Sequence, residues 1–346
     1  MQRQALQRIG IPAGKPRKIT RKKAVKRPGR PAGAAPAKPR AQTPPGGGKG
    51  RWQNFIHKTA PSRSELLGRL TYALYRPAEW AIAGRPLVIM LHGCQQTAAD
   101  IAAGSRMNQL ADRKGFVVAY PQQVKRVHAL RCWRWFQPDE GHGLAEADAI
   151  ADLAATLVSK HRLDATRVYI AGLSAGAGMA GLTMLRHPQI FAAVAMHSGV
   201  VLGAARNGTS GLQVMRKGSE RDPLSLLAPL QASEPAALPR PALFVLGARD
   251  RAVSLTNATQ LAEQFSALNG TMSLKKGVYG VGTPREYTRE DYLSGRRVVL
   301  RLCVVKEVGH AWSGGDERVK FSSEKGPNAS LLMWQFFALH RRTPAH

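Results

Sequence analysis

From about Leu66 onward the chain alternates short apolar runs with longer segments whose apolar residues recur at helical spacing. The runs Leu87 to Leu91, Phe116 to Tyr120, Val168 to Ala171, Phe191 to Met196 and Ala242 to Leu246 are too short for helices and show no polar alternation. Such runs predict strands covered on both faces, as in a parallel sheet. Helices are expected between them over 98–113, 145–161, 175–187 and 255–268. Strand and helix taking turns predicts an α/β fold built on a doubly wound, mostly parallel sheet. A hairpin, Arg285 to Tyr292 and Arg297 to Val305, follows, and a helix from about Asn328 to Leu339 closes the pattern. A stretch of about 280 residues is enough for one full core.

The beginning of the chain breaks this rhythm. Residues 1–51 hold fifteen Lys and Arg and no acid, within a formal charge of +29 for the whole chain. Ala, Pro, Gly, Lys and Arg dominate there, and so few large apolar side chains cannot offset chain entropy. Residues 1–60 are therefore expected to form a disordered basic tail, with the catalytic domain spanning 61–346. Charge alone predicts non-specific attraction of residues 1–51 to polyanions, DNA included. No apolar core of a secretory signal follows Met1-Gln2-Arg3-Gln4, so a cytoplasmic location is expected. The uncharged stretch Val168 to Leu185 has the length of a membrane span, but its glycine-rich middle has a better explanation, and no transmembrane segment is expected.

That explanation is Gly172-Leu173-Ser174-Ala175-Gly176, placed where a predicted strand gives way to a predicted helix. Two glycines around a serine permit a tight strand-to-helix turn that lifts the hydroxyl above the sheet and frees the next N–H. A carboxylate candidate, Asp250, ends the loop after the strand Ala242 to Leu246, with Asp222 and Asp291 as its rivals. A base candidate, His310, lies in the Gly-rich segment Val308 to Gly315 after the last strand. Their order, Ser then Asp then His, is that of α/β-hydrolases. Developing negative charge needs donors, and the backbone N–H groups of Ala175 and of Cys94, in His92-Gly93-Cys94 after an early strand, are assigned to it. His92 is expected to shape that loop rather than react. No metal-ligand spacing such as His-Glu-x-x-His occurs, and no cofactor is called for.

Five segments together resemble the polyhydroxybutyrate depolymerase family of esterases, which also holds feruloyl and acetylxylan esterases: His92 to Asp100, Leu110 to Pro121, Cys132-Trp133-Arg134-Trp135-Phe136, the serine turn, and Gly309-His310-Ala311-Trp312. The resemblance covers about residues 66 to 340 and implies an α/β-hydrolase fold with Ser174, Asp250 and His310 as its triad. It implies an ester or polyester substrate, most simply poly(3-hydroxybutyrate) or its oligomers, and a polymer-granule surface as partner. Aryl or acetyl esters are the alternative substrates, with Trp133, Trp135, Phe136 and Trp312 as candidates to line an ester groove. In exported members the corresponding cysteines pair, so the resemblance also allows a Cys94–Cys132 bridge and an extracellular location, while Cys303 reads as core. A reading of another class makes the chain a nucleic-acid or granule tether with a vestigial hydrolase domain. The complete Ser, Asp and His set argues against it.

Overall fold

The computed structural model describes residues 43–59, 68–139, 141–231, 238–271 and 273–343. Ten strands form one sheet: β1 (Arg51–Lys58), β2 (Arg69–Arg76), β3 (Leu87–Leu91), β4 (Val117–Gln122), β5 (Val168–Leu173), β6 (Ala193–His197), β7 (Ala242–Gly247), β8 (Ser273–Tyr279), β9 (Tyr287–Ser294) and β10 (Arg297–Val305). The α-helices are α1 (Ala98–Ser105), α2 (Met107–Lys114), α3 (Gly143–His161), α4 (Ala175–Arg186), α5 (Gly208–Lys217), α6 (Leu255–Asn269) and α7 (Ala329–Phe337). The strand order is β1-β2-β4-β3-β5-β6-β7-β10-β9-β8. The six from β4 to β10 pair in parallel, and two antiparallel strands are added at each end.

Every residue of β3, β5, β6 and β7 is buried, as their unbroken apolar runs require. One face packs Leu153, Leu157, Met179, Leu182 and Phe265 from α3, α4 and α6; the other packs Ile101, Leu110, Met333 and Phe336 from α1, α2 and α7. This double covering is the α/β-hydrolase arrangement. The chain moves from β3 outward to β4 and then back past β3 to β5, so the carboxyl ends of β3 and β5 face a topological switch point. Crevices at such points are where open α/β sheets hold their ligands.

Several expectations need correction. The boundary at residue 60 is wrong: residues 43–59 are described and folded, with β1 paired along its whole length to β2. The Trp52 ring packs on Tyr120 at 5.2 Å and Phe55 stacks on Tyr72 at 5.4 Å, so two aromatics anchor a segment whose basic composition suggested disorder. The rest of the expected tail, residues 1–42 and 60, lies outside the described residues. The single helix expected over 98–113 is two, because Arg106 adopts a left-handed conformation (φ 54°) that ends α1 and begins α2. Strand β6 starts at Ala193 rather than Phe191, and β2, β8 and α5 were not anticipated. No helix among the described residues is long and apolar enough to cross a membrane.

Candidate active site

Strand β5 ends at Leu173 and α4 begins at Ala175, which leaves Ser174 alone at the turn with φ 55° and ψ −119°. A non-glycine residue held at positive φ stores about 1–3 kcal/mol of strain. The flanking glycines make the turn possible. A Cβ on Gly172 would lie 2.3 Å from the Gly176 carbonyl oxygen, and one on Gly176 would lie 2.5 Å from that of His92. The Ser174 N–H donates to the His197 carbonyl at 2.9 Å, which ties the turn to the neighbouring strand.

Two loops at the same end of the sheet complete a line of hydrogen bonds. His310, after β10, has Nδ1 2.8 Å from Asp250 Oδ2 and Nε2 3.0 Å from Ser174 Oγ. Asp250, after β7, has a side chain only 1 % exposed. Its Oδ1 accepts the N–H groups of Ala252 and Val253, each at 2.9 Å. Burial pushes this carboxyl up, but the hydrogen bond and charge of His310 and those two N–H groups outweigh it and hold Asp250 below its ordinary range. An ionised Asp250 requires the proton on His310 Nδ1, which leaves Nε2 free to accept from the serine hydroxyl. The rival carboxylates are engaged elsewhere: Asp222 accepts the Ser225 N–H, and Asp291 is paired with Arg301 at 2.5 Å.

The Gly93 turn lies directly against Ser174, since a Cβ on Gly93 would sit 3.5 Å from Ser174 Cβ. Neither the Cys94 N–H nor the Ala175 N–H donates to a protein acceptor among the described residues. Ala175 is the first residue of α4, so its N–H is one of those a helix leaves unpaired, at the positive end of the helix dipole. The Gly93–Cys94 peptide is held from behind. His92 is completely buried, and its Nδ1 donates to the Gly93 carbonyl at 2.8 Å while Nε2 accepts the Gln123 N–H at 3.0 Å. Burial pushes His92 down to about 4, so it stays neutral and keeps both bonds. The Cys94 and Cys132 sulfurs are joined in a disulfide, while Cys303 is free and buried.

A second buried histidine was not singled out in the sequence. His197 ends β6, stacks on Trp312 at 5.2 Å, and accepts the Ser313 N–H at Nε2 (3.1 Å), which fixes the loop carrying His310. Burial, then the nearby His310, push it down to about 3. Its signal was a polar pair, His197-Ser198, closing an apolar run.

The aromatic candidates for a groove are mostly placed otherwise. Trp133 and Trp312 are 1 % and 0 % exposed: the first packs on His92 and the second reaches Ser330 Oγ through Nε1. They support the site from behind and cannot line it. Trp135 is also buried, edge-on to the half-buried Phe136, which retains some exposed surface. A cavity of 840 Å³ lined by Trp52, Phe55, Ile56, Tyr72, Thr97 and Gln122 lies beside β1 and β2, and Ser174, Asp250 and His310 are not among its lining residues. No group of three His, Cys, Asp or Glu side chains suited to a metal occurs among the described residues.

Known proteins resemble this chain in sequence and in fold. The chain is 33% identical over 191 residues to poly(3-hydroxyalkanoate) depolymerase C of Paucimonas lemoignei, covering 54% of this chain and 46% of that protein. It is 32% identical over 128 residues to feruloyl esterase B of Thermothelomyces thermophilus, covering 36% of this chain and 43% of that one. The chain thus spans less than half the length of these curated relatives. An acetyl xylan esterase from Aspergillus awamori has the same fold, with a TM-score of 0.65 at 18% identity over 83% of this chain and 99% of the other. The family pattern described as "Esterase PHB depolymerase" matches residues 70–289, a span that includes Ser174 and Asp250 and ends before His310. With that pattern extending over more than half of its length, the chain belongs to the esterase PHB depolymerase family.

Proposed function

We propose that this chain is a serine carboxylic ester hydrolase acting on poly(3-hydroxybutyrate) or short hydroxyalkanoate esters. The observation that carries the reading is the continuous line Asp250–His310–Ser174 beside two N–H groups that have no acceptor among the described residues. In acylation, Ser174 Oγ bonds to the ester carbonyl carbon as its proton passes to His310 Nε2. The carbonyl electron pair moves onto oxygen, where the Cys94 and Ala175 N–H groups stabilise it. Each such donor is worth about 2.7–4 kcal/mol in comparable sites. The carbonyl re-forms, the bond to the alcohol oxygen breaks, and His310 returns its proton to that oxygen. Water then attacks the acyl-serine by the same route and releases the acid.

The polyester preference is supported by the relative from Paucimonas lemoignei and by the poly(3-hydroxybutyrate) depolymerase of Ralstonia pickettii, 32% identical over 163 residues. The Cys94–Cys132 bond supports the extracellular placement over the cytoplasmic one, since disulfides persist in oxidising compartments. A granule surface remains the partner of choice for the polymer reading. The test is acid release from amorphous poly(3-hydroxybutyrate) granules by the wild type beside Ser174→Ala, with p-nitrophenyl butyrate as a soluble substrate. Release that disappears in the variant is expected. Cleavage of the soluble ester alone would keep Ser174 as nucleophile and move the substrate to feruloyl or acetyl esters, and full activity of Ser174→Ala would overturn the reading.

A further inference from the structure

Glu146, in the first turn of α3, is 1 % exposed and forms no ion pair among the described residues. A carboxylate is rarely buried in this way without a purpose, because leaving water disfavours its charged form. Its two oxygens are used separately. Oε1 accepts from Gln123 Nε2 at 2.7 Å, and Oε2 accepts the Arg134 backbone N–H at 2.8 Å. The Arg134 guanidinium is directed elsewhere, donating to the Val127 carbonyl at 2.5 Å. Glu146 therefore holds both ends of the segment 123–134.

Each end of that segment bears on the Gly93–Cys94 peptide. At one end the Gln123 N–H donates to His92 Nε2, and His92 Nδ1 donates to the Gly93 carbonyl, which belongs to the same peptide unit as the Cys94 N–H. At the other end Cys132, two residues before Arg134, is bonded to Cys94 itself. Between them the Gln95 N–H donates to the Leu130 carbonyl at 2.6 Å. The chemistry proposed for Ser174 uses the Cys94 N–H, and a donor misplaced by about 1 Å can cost about 100-fold in rate.

We infer that Glu146 and Gln123 are positioning residues that aim the Cys94 N–H at the developing oxyanion through His92. The inference rests on the reading of Ser174 as nucleophile and of Cys94 as an oxyanion donor. A residue that acts this way works on the transition state more than on bound substrate, so its loss lowers kcat and spares KM.

Glu146→Gln keeps the shape but turns one acceptor into a donor facing a donor. The Gln123 amide cannot simply turn round, because its Oε1 already accepts the Val124 N–H at 3.1 Å. With p-nitrophenyl butyrate, and with active serine counted by a phosphonate titrant, kcat per titrated site is expected to fall about 10- to 100-fold while KM stays within about twofold. The exchange Glu146→Gln with Gln123→Glu restores a matched set of donors and acceptors, and is expected to recover most of that loss. If Glu146→Gln fails to fold, Gln123→Met, which keeps the backbone N–H to His92, is measured in its place, with the same kcat loss expected. A kcat per titrated site within twofold of wild type, beside an inactive Ser174→Ala, would overturn this inference alone. A loss of titrated sites with unchanged kcat per site would do the same, by showing that Glu146 only supports folding. Full activity in Ser174→Ala would remove the underlying reading instead.

Discussion

Two regions of this molecule keep their ionisable groups in opposite ways. At the carboxyl ends of β3, β5, β6 and β7, Asp250, His92, His197 and Glu146 are buried, and the partners they take are mostly backbone N–H groups or neutral side chains. At the far edge, strand β8 carries its charges outward: the Lys276–Glu290 pair has side chains 64% and 25% exposed, and every residue of β8 is at least partly exposed. In the first region water is excluded, so each unpaired polar atom is costly and geometry is fixed. In the Lys276–Glu290 pair solvent competes for both members, and the geometry is held by the sheet ladder. The difference teaches where a single substitution will matter.

The largest effect is expected at Asp250. Asp250→Asn can keep the acceptor that binds the Ala252 and Val253 N–H groups, yet it presents a donor to His310 Nδ1 and forces the proton to Nε2. A kcat about 10⁴-fold lower with an unchanged melting temperature is the expected result. A loss under tenfold in steady-state assays would mean that the buried region is not organised around this proton.

Acid should expose the same contrast in stability. Burial pushes His92 and His340 down to about 4 and His197 down to about 3, so below about pH 6.5 the unfolded chain takes up protons that the native one refuses. Their contribution to stability is full above pH 6.5 and is lost as pH falls toward 4. Glu146, pushed up to about 7 by burial, has the opposite sign, because between pH 4.5 and 7 the native state retains a proton the unfolded chain gives up. Between about pH 4.5 and 6, where the unfolded histidines are protonated, these three histidines against one carboxyl leave a net of two protons, or on the order of 2–3 kcal/mol of stability lost per pH unit on acidification, and the net falls toward zero near pH 7. Urea unfolding at pH 5 and pH 7 measures it, and equal midpoints would refute the account.

The smallest effect is expected in the hairpin. Lys276→Ala should change unfolding free energy by less than about 1 kcal/mol, falling further in high salt, and leave ester turnover unchanged. A larger loss in a denaturant titration would show that the exposed edge is more than a surface.

The central sheet was legible because β3, β5 and β7 are buried on both faces and so carry continuous apolar runs, and Ser174, Asp250 and His310 were legible because each sits just past such a run. Strand β8 left no signal, since a strand exposed on both faces needs no hydrophobic period. Strand β1 was hidden by the charges around Trp52 and Phe55, and the break at Arg106 depends on a loop far along the chain, where the Asp316 N–H donates to the Gly104 carbonyl at 2.9 Å. Trp133 and Trp312 stand in motifs that place them near the site. Only the packing of His92 and His197 beneath them decides that they face inward. Glu146 had no local pattern at all, because its partners come from segments more than ten residues away.

The pairing of β1 along β2 also sets where this protein can be shortened. A truncation that begins after Lys58 would strip the outer strand and leave the full ladder of β2, with Tyr72 beneath it, as a bare template for other chains. Such a fragment should clump through edge-to-edge association, whereas one that begins at Thr43 keeps its own protective strand.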